Sequence, residues 1–363
     1  MLKGTNIWLR GYIESVLKRR PLHYPVKILF ATADHFEPAQ RPEDPLELQI
    51  ERVRNWIGGF EKRYGNHIDS TGKRPMRSYF FPQEQYNAEV LDMLAEHCSK
   101  GFGEVDIHIH HDRDNEKAFV EKIERFKEQL ASHHLLARDS RDSRIKYGFV
   151  HGNWALDNSR KDGRWCGLNN EITLLKRTGC YADFTLPCAP AEGQTRKVNS
   201  IYYADDDPSK PKSHDTGRDI HFGGRTTGDL LLIQGPLALN FSNRTRWIFP
   251  RIENGDVSAA NPMTAERIRI WINQRISVRG KEDFIFVKVH AHALKPRNFD
   301  YLLSDRMEEA FTTLETFFND GEHFVLHYVT TREMANIVNA FNDGLDGTVE
   351  QLRDYRYKWL MNE

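Results

Sequence analysis

Histidines stand where the apolar runs of this sequence end. Eight of the 16, namely His35, His108, His110, His111, His151, His290, His292 and His327, close segments that read as buried strands. Imidazoles and carboxylates converging from separate strands are what a borderline divalent cation such as Zn²⁺ requires. In Glu104-Val-Asp-Ile-His-Ile-His-His-Asp112 alternate residues share a face, so Asp106, His108 and His110 point together. A metal could take His108 with His110, or His108 with Asp112 if the chain turns after the strand. Asp34-His35 pairs a carboxylate able to activate water with an imidazole able to hold the ion. Lys288-Val-His290-Ala-His292 repeats the alternation, so one imidazole could protonate a leaving group while the other orients it or lines the pocket. His151-Gly-Asn153-Trp154 suits a sugar ring, an aromatic face for stacking and an amide to read hydroxyls. Asp183, in Cys180-Tyr-Ala-Asp-Phe184, could orient a catalytic group.

Plainer readings stand beside these. Asp34 and Asp183 could be caps, the His290 pair a rim bonded to backbone, and 151–154 a structural turn. Glu171 reads as a helix cap or a solvent-facing residue. Cys98, Cys166, Cys180 and Cys188 form no CxxC pair and read as structural. There is no phosphate-binding Gly-rich loop and no GxSxG elbow.

The elements that must position the histidines alternate. Residues 26–33 are a near-continuous apolar run, as expected of a strand buried on both faces. Further strands read at 77–81, 104–110, 147–151, 180–186, 229–234, 284–290 and 324–329. Helical patterns lie between them: Leu46, Ile50, Val53, Ile57 and Phe60 behind an Asp44 cap, then 84–98, 169–177, and a capping box at Thr330-Thr-Arg-Glu333. Strands alternating with helices give an α/β fold, and the pattern predicts one barrel-like domain over 26–345. Polar stretches at about 187–225 and 239–261 are expected as two rim insertions, 1–25 as an amphipathic helix and 346–363 as a C-terminal helix. In such barrels the active site gathers at the C-terminal strand ends, where the histidines fall.

The chain has 363 residues, with 51 Lys+Arg against 52 Asp+Glu, a balance that excludes a nucleic-acid binder resting on bulk charge. No apolar run approaches the roughly 20 residues of a membrane helix, so no transmembrane segment is expected. Residues 1–20 are basic and amphipathic and read as a packing helix, with membrane-surface contact as the alternative. Four cysteines in a chain of 363 residues suggest a reducing, cytoplasmic setting.

From about Val26 to Ala340 the order of these residues resembles the polysaccharide deacetylase (NodB-homology) superfamily, carbohydrate esterase family four and its relatives. That resemblance implies a distorted (β/α)7 barrel of the glycoside hydrolase/deacetylase type. Thr32-Ala-Asp34-His35 stands where the family has Thr-Phe-Asp-Asp, which implies Asp34 as general base and His35 in place of a metal-binding aspartate. Glu104-Val-Asp-Ile-His108 resembles the second motif, making His108 the first ligand. Asp112 stands where a second histidine is usual, with His110 and His111 between. His151-Gly-Asn-Trp154 replaces a motif that carries an arginine, and Asp183 resembles the fourth motif's aspartate. Of His290 and His292, the second is the better match to the family's catalytic histidine. The resemblance implies a hydrolase that removes an N- or O-linked acetyl group from an oligo- or polysaccharide. A divalent metal, zinc by expectation, would be held by His108, His35 and either Asp112 or His110. Two readings of other classes remain: a metal-independent glycoside hydrolase using Asp34 and Asp183 about 5–9.5 Å apart, and a sugar-binding relative without catalysis.

Overall fold

A computed structural model describes residues 4–245 and 249–362. In chain order its strands are β1 (Val26–His35), β2 (Arg77–Pro82), β3 (Gly103–Ile109), β4 (Ala137–Asp139), β5 (Ile145–His151), β6 (Cys180–Asp183) and β7 (Ile201–Ala204). There follow β8 (Arg218–Asp219), β9 (Leu230–Ile233), β10 (Ala238–Thr245), β11 (Phe249–Glu253), β12 (Phe284–Ala291), β13 (Phe324–Tyr328) and β14 (Tyr357–Trp359). All eight predicted strands are among them, and all eight lie in one mostly parallel sheet ordered β12-β1-β2-β3-β5-β6-β9-β7-β8, with β13 also on β1.

Register is what makes a rim. Ala33 pairs with His290, His35 with Phe80, Pro82 with His108 and Ile109 with His151. Parallel strands in this register end at one level, so the histidines on four of them come to the same end of the sheet.

The fold is α/β as expected, but the sheet does not close. Residues 187–225, expected as a rim insertion, contribute β7, which pairs antiparallel along β9 from Ile201↔Ile233 to Ala204↔Leu230. Beside its single pairing to β6, the edge that β12 would need for closure is thus taken. Lys288 on β12 reaches across instead, its ammonium donating to the carbonyls of Phe184 (2.6 Å) and Leu186 (2.7 Å). The second excursion, 239–261, forms most of the β10–β11 hairpin, with 246–248 outside the described residues.

The helices are α1 (Thr5–Leu17), α2 (Leu46–Tyr64), α3 (Ala88–His97), α4 (Glu116–Ser132), α5 (Glu171–Thr178), α6 (Ala265–Ile272), α7 (Pro296–Leu302), α8 (Asp305–Phe317), α9 (Thr331–Asn342) and α10 (Val349–Leu352). The apolar stripe of α2, Ile50, Val53, Trp56 and Phe60, is buried in the main core as its spacing predicts. Asp44 does not cap it; Pro45 holds the cap position, while Asp44 accepts from the Gln40 amide and from Arg52. The capping box at Thr330 and Glu333 forms on α9 in both directions. The segment 346–363 is not one helix: after the single turn of α10 it becomes β14, antiparallel to β4. Helix α1 docks through Trp8, buried with Ala189, Val198 and Leu237, while Leu17 stays exposed. Among the described residues no helix is long and apolar enough to cross a membrane.

Beneath the sheet, Glu104 at the start of β3 holds Arg332 of α9 through two hydrogen bonds of 2.6 and 2.8 Å, both side chains nearly inaccessible. Removing one partner of such a pair leaves an uncompensated buried charge. Glu104→Ala is therefore expected to lower unfolding stability by about 3–5 kcal/mol. A urea denaturation midpoint equal to that of the wild type would contradict this.

Candidate metal centre

At the C-terminal rim, one carboxylate stands among four imidazoles. Glu37, two residues past β1, shares one group with His35 and His292 and another with His108 and His110, the ligand atoms of each group lying within 4.8 Å of one another. Its Oε1 is 3.5 Å from His108 Nε2 and 3.6 Å from His110 Nε2. The His35 and His292 rings stack at 4.4 Å, and His35 meets His108 edge-on at 4.9 Å.

Tautomers follow from the partners. His108 Nδ1 is 2.7 Å from the Val150 carbonyl, so it carries the hydrogen and Nε2 presents a lone pair to Glu37. That Nε2 is buried and makes no hydrogen bond. His110 Nδ1 is 2.5 Å from Glu84 Oε1, which turns its Nε2 toward Glu37 in the same way. Rings whose second nitrogen is held by a carbonyl or carboxylate are set up as metal ligands.

The electrostatics of His35 and His292 agree with that use, whereas at His110 the Glu84 carboxylate outweighs burial and raises the ring. Burial, with the neighbouring imidazoles adding to it, holds His35 well below the ordinary histidine range. Burial likewise lowers His292 to about 3, aided by Lys295. Both rings are thus neutral, as ligation requires. Burial alone would raise Glu37, but His108, His292 and His110 hold it down to about 2. The Glu37 and His110 side chains keep 17% and 31% of their surface exposed, so the cluster opens to solvent. The donor set of imidazoles and one carboxylate, with an orphaned buried Nε2 aimed into it, fits a borderline divalent ion.

No family model matches the chain, and no curated protein matches it. The site is therefore read from its own geometry.

Of the residues singled out from sequence, the fold brings His35, His108, His110, His290 and His292 together, with Trp154 beside them. The half-buried Trp154 ring lies 6.1 Å from His35 and 6.0 Å from His292. His290 is 6.3 Å from His35 by ring centroids. Burial lowers its pKa, opposed first by the charge of Asp256, whose backbone bridges to it.

Other candidates lie elsewhere. Asp112 is not a ligand: the chain turns it outward, where its Oδ1 accepts from the Trp165 amide at 2.5 Å. His151 does not face a substrate; it is fully buried, bonded to the Gly152 carbonyl and facing His111 and Glu171. Asn153 is exposed, with φ 56°.

Asp34 is completely buried, with Oδ2 on Arg77 Nη1 at 2.7 Å and Oδ1 accepting the Ala293 amide at 2.9 Å. It thereby fixes the backbone next to His292. Asp183 accepts twice from Thr185, at 2.7 and 3.1 Å, and Thr185 Oγ1 in turn accepts from the His151 amide. Burial pushes Asp183 up to about 7. Both carboxylates that a glycoside hydrolase would use are hydrogen-bonded to neighbouring backbone and side chains.

Sequence reasoning passed over Glu37, Glu84 and Asp256. Glu37 carried one usable signal, its i+2 relation to His35, but β1 ends at His35 and strand alternation stops there. It also passed over a second group of ligand-type side chains that could hold a metal ion, His111, His151, Cys166 and Glu171, all four buried.

Proposed function

We propose that the chain is a metal-dependent hydrolase that removes an acyl group, acetyl first of all, from an amine or hydroxyl of a carbohydrate. The observation that carries this reading is the rim cluster, where the lone pairs of His108 and His110 face Glu37 in an open site. His108, His110 and Glu37 would hold the ion, with His35 and His292 at its flanks; zinc suits this donor set. When bound, such an ion supplies Lewis-acid polarisation of the acyl carbonyl, an effect of several kcal/mol.

The remaining steps belong to the chain. Glu37, not Asp34, is the carboxylate with an oxygen free to accept a proton from attacking water. His290, whose neutral ring lies in the field of Asp256, would take up the proton that Glu37 removes from water and pass it to the departing nitrogen or oxygen. Trp154 offers a ring face at the edge of the site on which a pyranose can stack. The residue order shared with the polysaccharide deacetylases supports the same class of reaction.

Acetate release from N- or O-acetylated oligosaccharides is expected to vanish on chelation and return with a divalent ion. Metal-loaded protein inactive on both substrate classes would contradict the proposal. The acid is tested by leaving group. His290→Ala should slow an N-acetyl sugar by about 10²–10⁴-fold. It should slow an activated aryl acetate far less, because that leaving group needs no proton. Equal losses on both substrates would remove His290 from the role.

A further inference from the structure

Consecutive residues of an extended chain point to opposite sides. His110 turns its Nε2 to Glu37 at the open rim, whereas His111 turns inward to a second centre. There His111 Nε2 lies 2.9 Å from His151 Nε2 and 3.1 Å from Glu171 Oε1, and His151 Nε2 is 3.3 Å from the same oxygen. Cys166 Sγ completes the group, 3.5 Å from Glu171 Oε2. The His111, His151 and Glu171 side chains have 0% exposure, as does Cys166.

His151 Nδ1 faces the Gly152 carbonyl, which leaves its Nε2 lone pair toward His111 and Glu171. His111 Nδ1 stands 3.4 Å from Asp114 Oδ2 and is buried without a hydrogen bond. A proton on His111 can join the two rings to the carboxylate, but a cation gathers all four donors, whose ligand atoms lie within 4.8 Å of one another.

The thiol has its own signature. Cys166 Sγ accepts the backbone N–H groups of Asn158 (3.3 Å) and Leu168 (3.5 Å). The thiol in turn donates toward the Leu168 carbonyl at 3.6 Å and Glu171 Oε2 at 3.5 Å; giving up that hydrogen to a bound cation would leave a thiolate already held by two amides.

We infer that His111 Nε2, His151 Nε2, Cys166 Sγ and Glu171 bind a second divalent transition metal, zinc by donor type, in a closed structural site. Bonds of about 2.0–2.2 Å imply tetrahedral edges of about 3.4 Å between nitrogen and oxygen ligands. The separations of 2.9, 3.1 and 3.3 Å reach this with shifts of a few tenths of an ångström. No ligand atom is left open to solvent, which is the mark of a structural rather than a catalytic site.

The ligands also explain what the ion would hold. They come from the ends of β3 and β5, from a loop and from the first residue of α5. Between His151 and Glu171 the chain has only short 3₁₀ turns and several residues at positive φ, including Asp157, Asn158 and Trp165. The ion pins both ends of this segment, which carries Trp154 to the rim.

The test uses full-length protein produced in cobalt-supplemented minimal medium, since so enclosed a site exchanges slowly. The open site contains no cysteine, so a sulfur-to-cobalt charge-transfer band in the near ultraviolet reports the inner centre alone. The band is expected in wild type and in His108→Ala, and it should disappear in Cys166→Ser but not in Cys188→Ser. Elemental analysis should find one equivalent of metal left in His108→Ala. Cobalt-grown wild-type protein without the band, or His108→Ala protein free of transition metal, overturns the inference without reliance on how Cys166→Ser folds.

Discussion

His108→Ala is expected to empty the rim site of its ion and to reduce acyl release by about 10³-fold or more. The size follows from losing about 4 kcal/mol of carbonyl polarisation, at about 1.4 kcal/mol per tenfold in rate. His108 is the most sensitive position because nothing else satisfies its Nε2, which is buried and without a hydrogen bond. Its Nδ1 bond to the Val150 carbonyl fixes the ring with Nε2 toward Glu37. The substitution also orphans that carbonyl, at a cost of about 1–3 kcal/mol. A thermal melt therefore accompanies the assay, and activity should fall far more than the folded fraction. Activity within tenfold of wild type would mean that His108 holds no catalytic ion.

The second large effect separates two carboxylates three residues apart. Glu37→Gln keeps the shape of the side chain and removes the charge that faces His108 and His110. It is expected to lower turnover by about 10²–10⁴-fold or more through loss of the base and of a ligand to the ion, with little change in melting temperature. Asp34→Asn should behave in the opposite sense. Arg77, buried and stacked over Trp56, depends on Asp34 for its charge partner. Breaking such a pair costs about 3–5 kcal/mol, so the melting temperature drops clearly. Turnover of the protein that remains folded should fall less than in Glu37→Gln. A stable Asp34→Asn protein with negligible turnover, beside an active Glu37→Gln, would return the role of base to Asp34.

Much of the scaffold was legible because strand signals are local. A run such as Val26–Ala33, apolar but for Lys27 and Thr32, needs no distant contact to be recognised. The gathering of His35, His108, His290 and His292 was legible for the same reason, since parallel strands in register place their C-terminal ends together. Closure was not legible. Ile201–Ala204 is a four-residue strand inside a polar stretch, and its pairing with β9 is a tertiary event that no periodicity announces.

Direction beyond a strand end was equally hidden. Asp112 turns outward and Glu37 inward, although both follow strands and both are acidic. Glu171 shows a third limit. An acidic residue in the first turn of a helix is an ordinary capping signal, and its complete burial depends on the 152–170 segment folding over it.

The central claim is that the rim cluster holds an ion, and anomalous diffraction from zinc-loaded crystals tests it most directly. Data collected on either side of the zinc absorption edge should show a peak about 2.0–2.2 Å from His108, His110 and Glu37. A peak confined to the His111–Cys166 centre, or no peak at all, would contradict it.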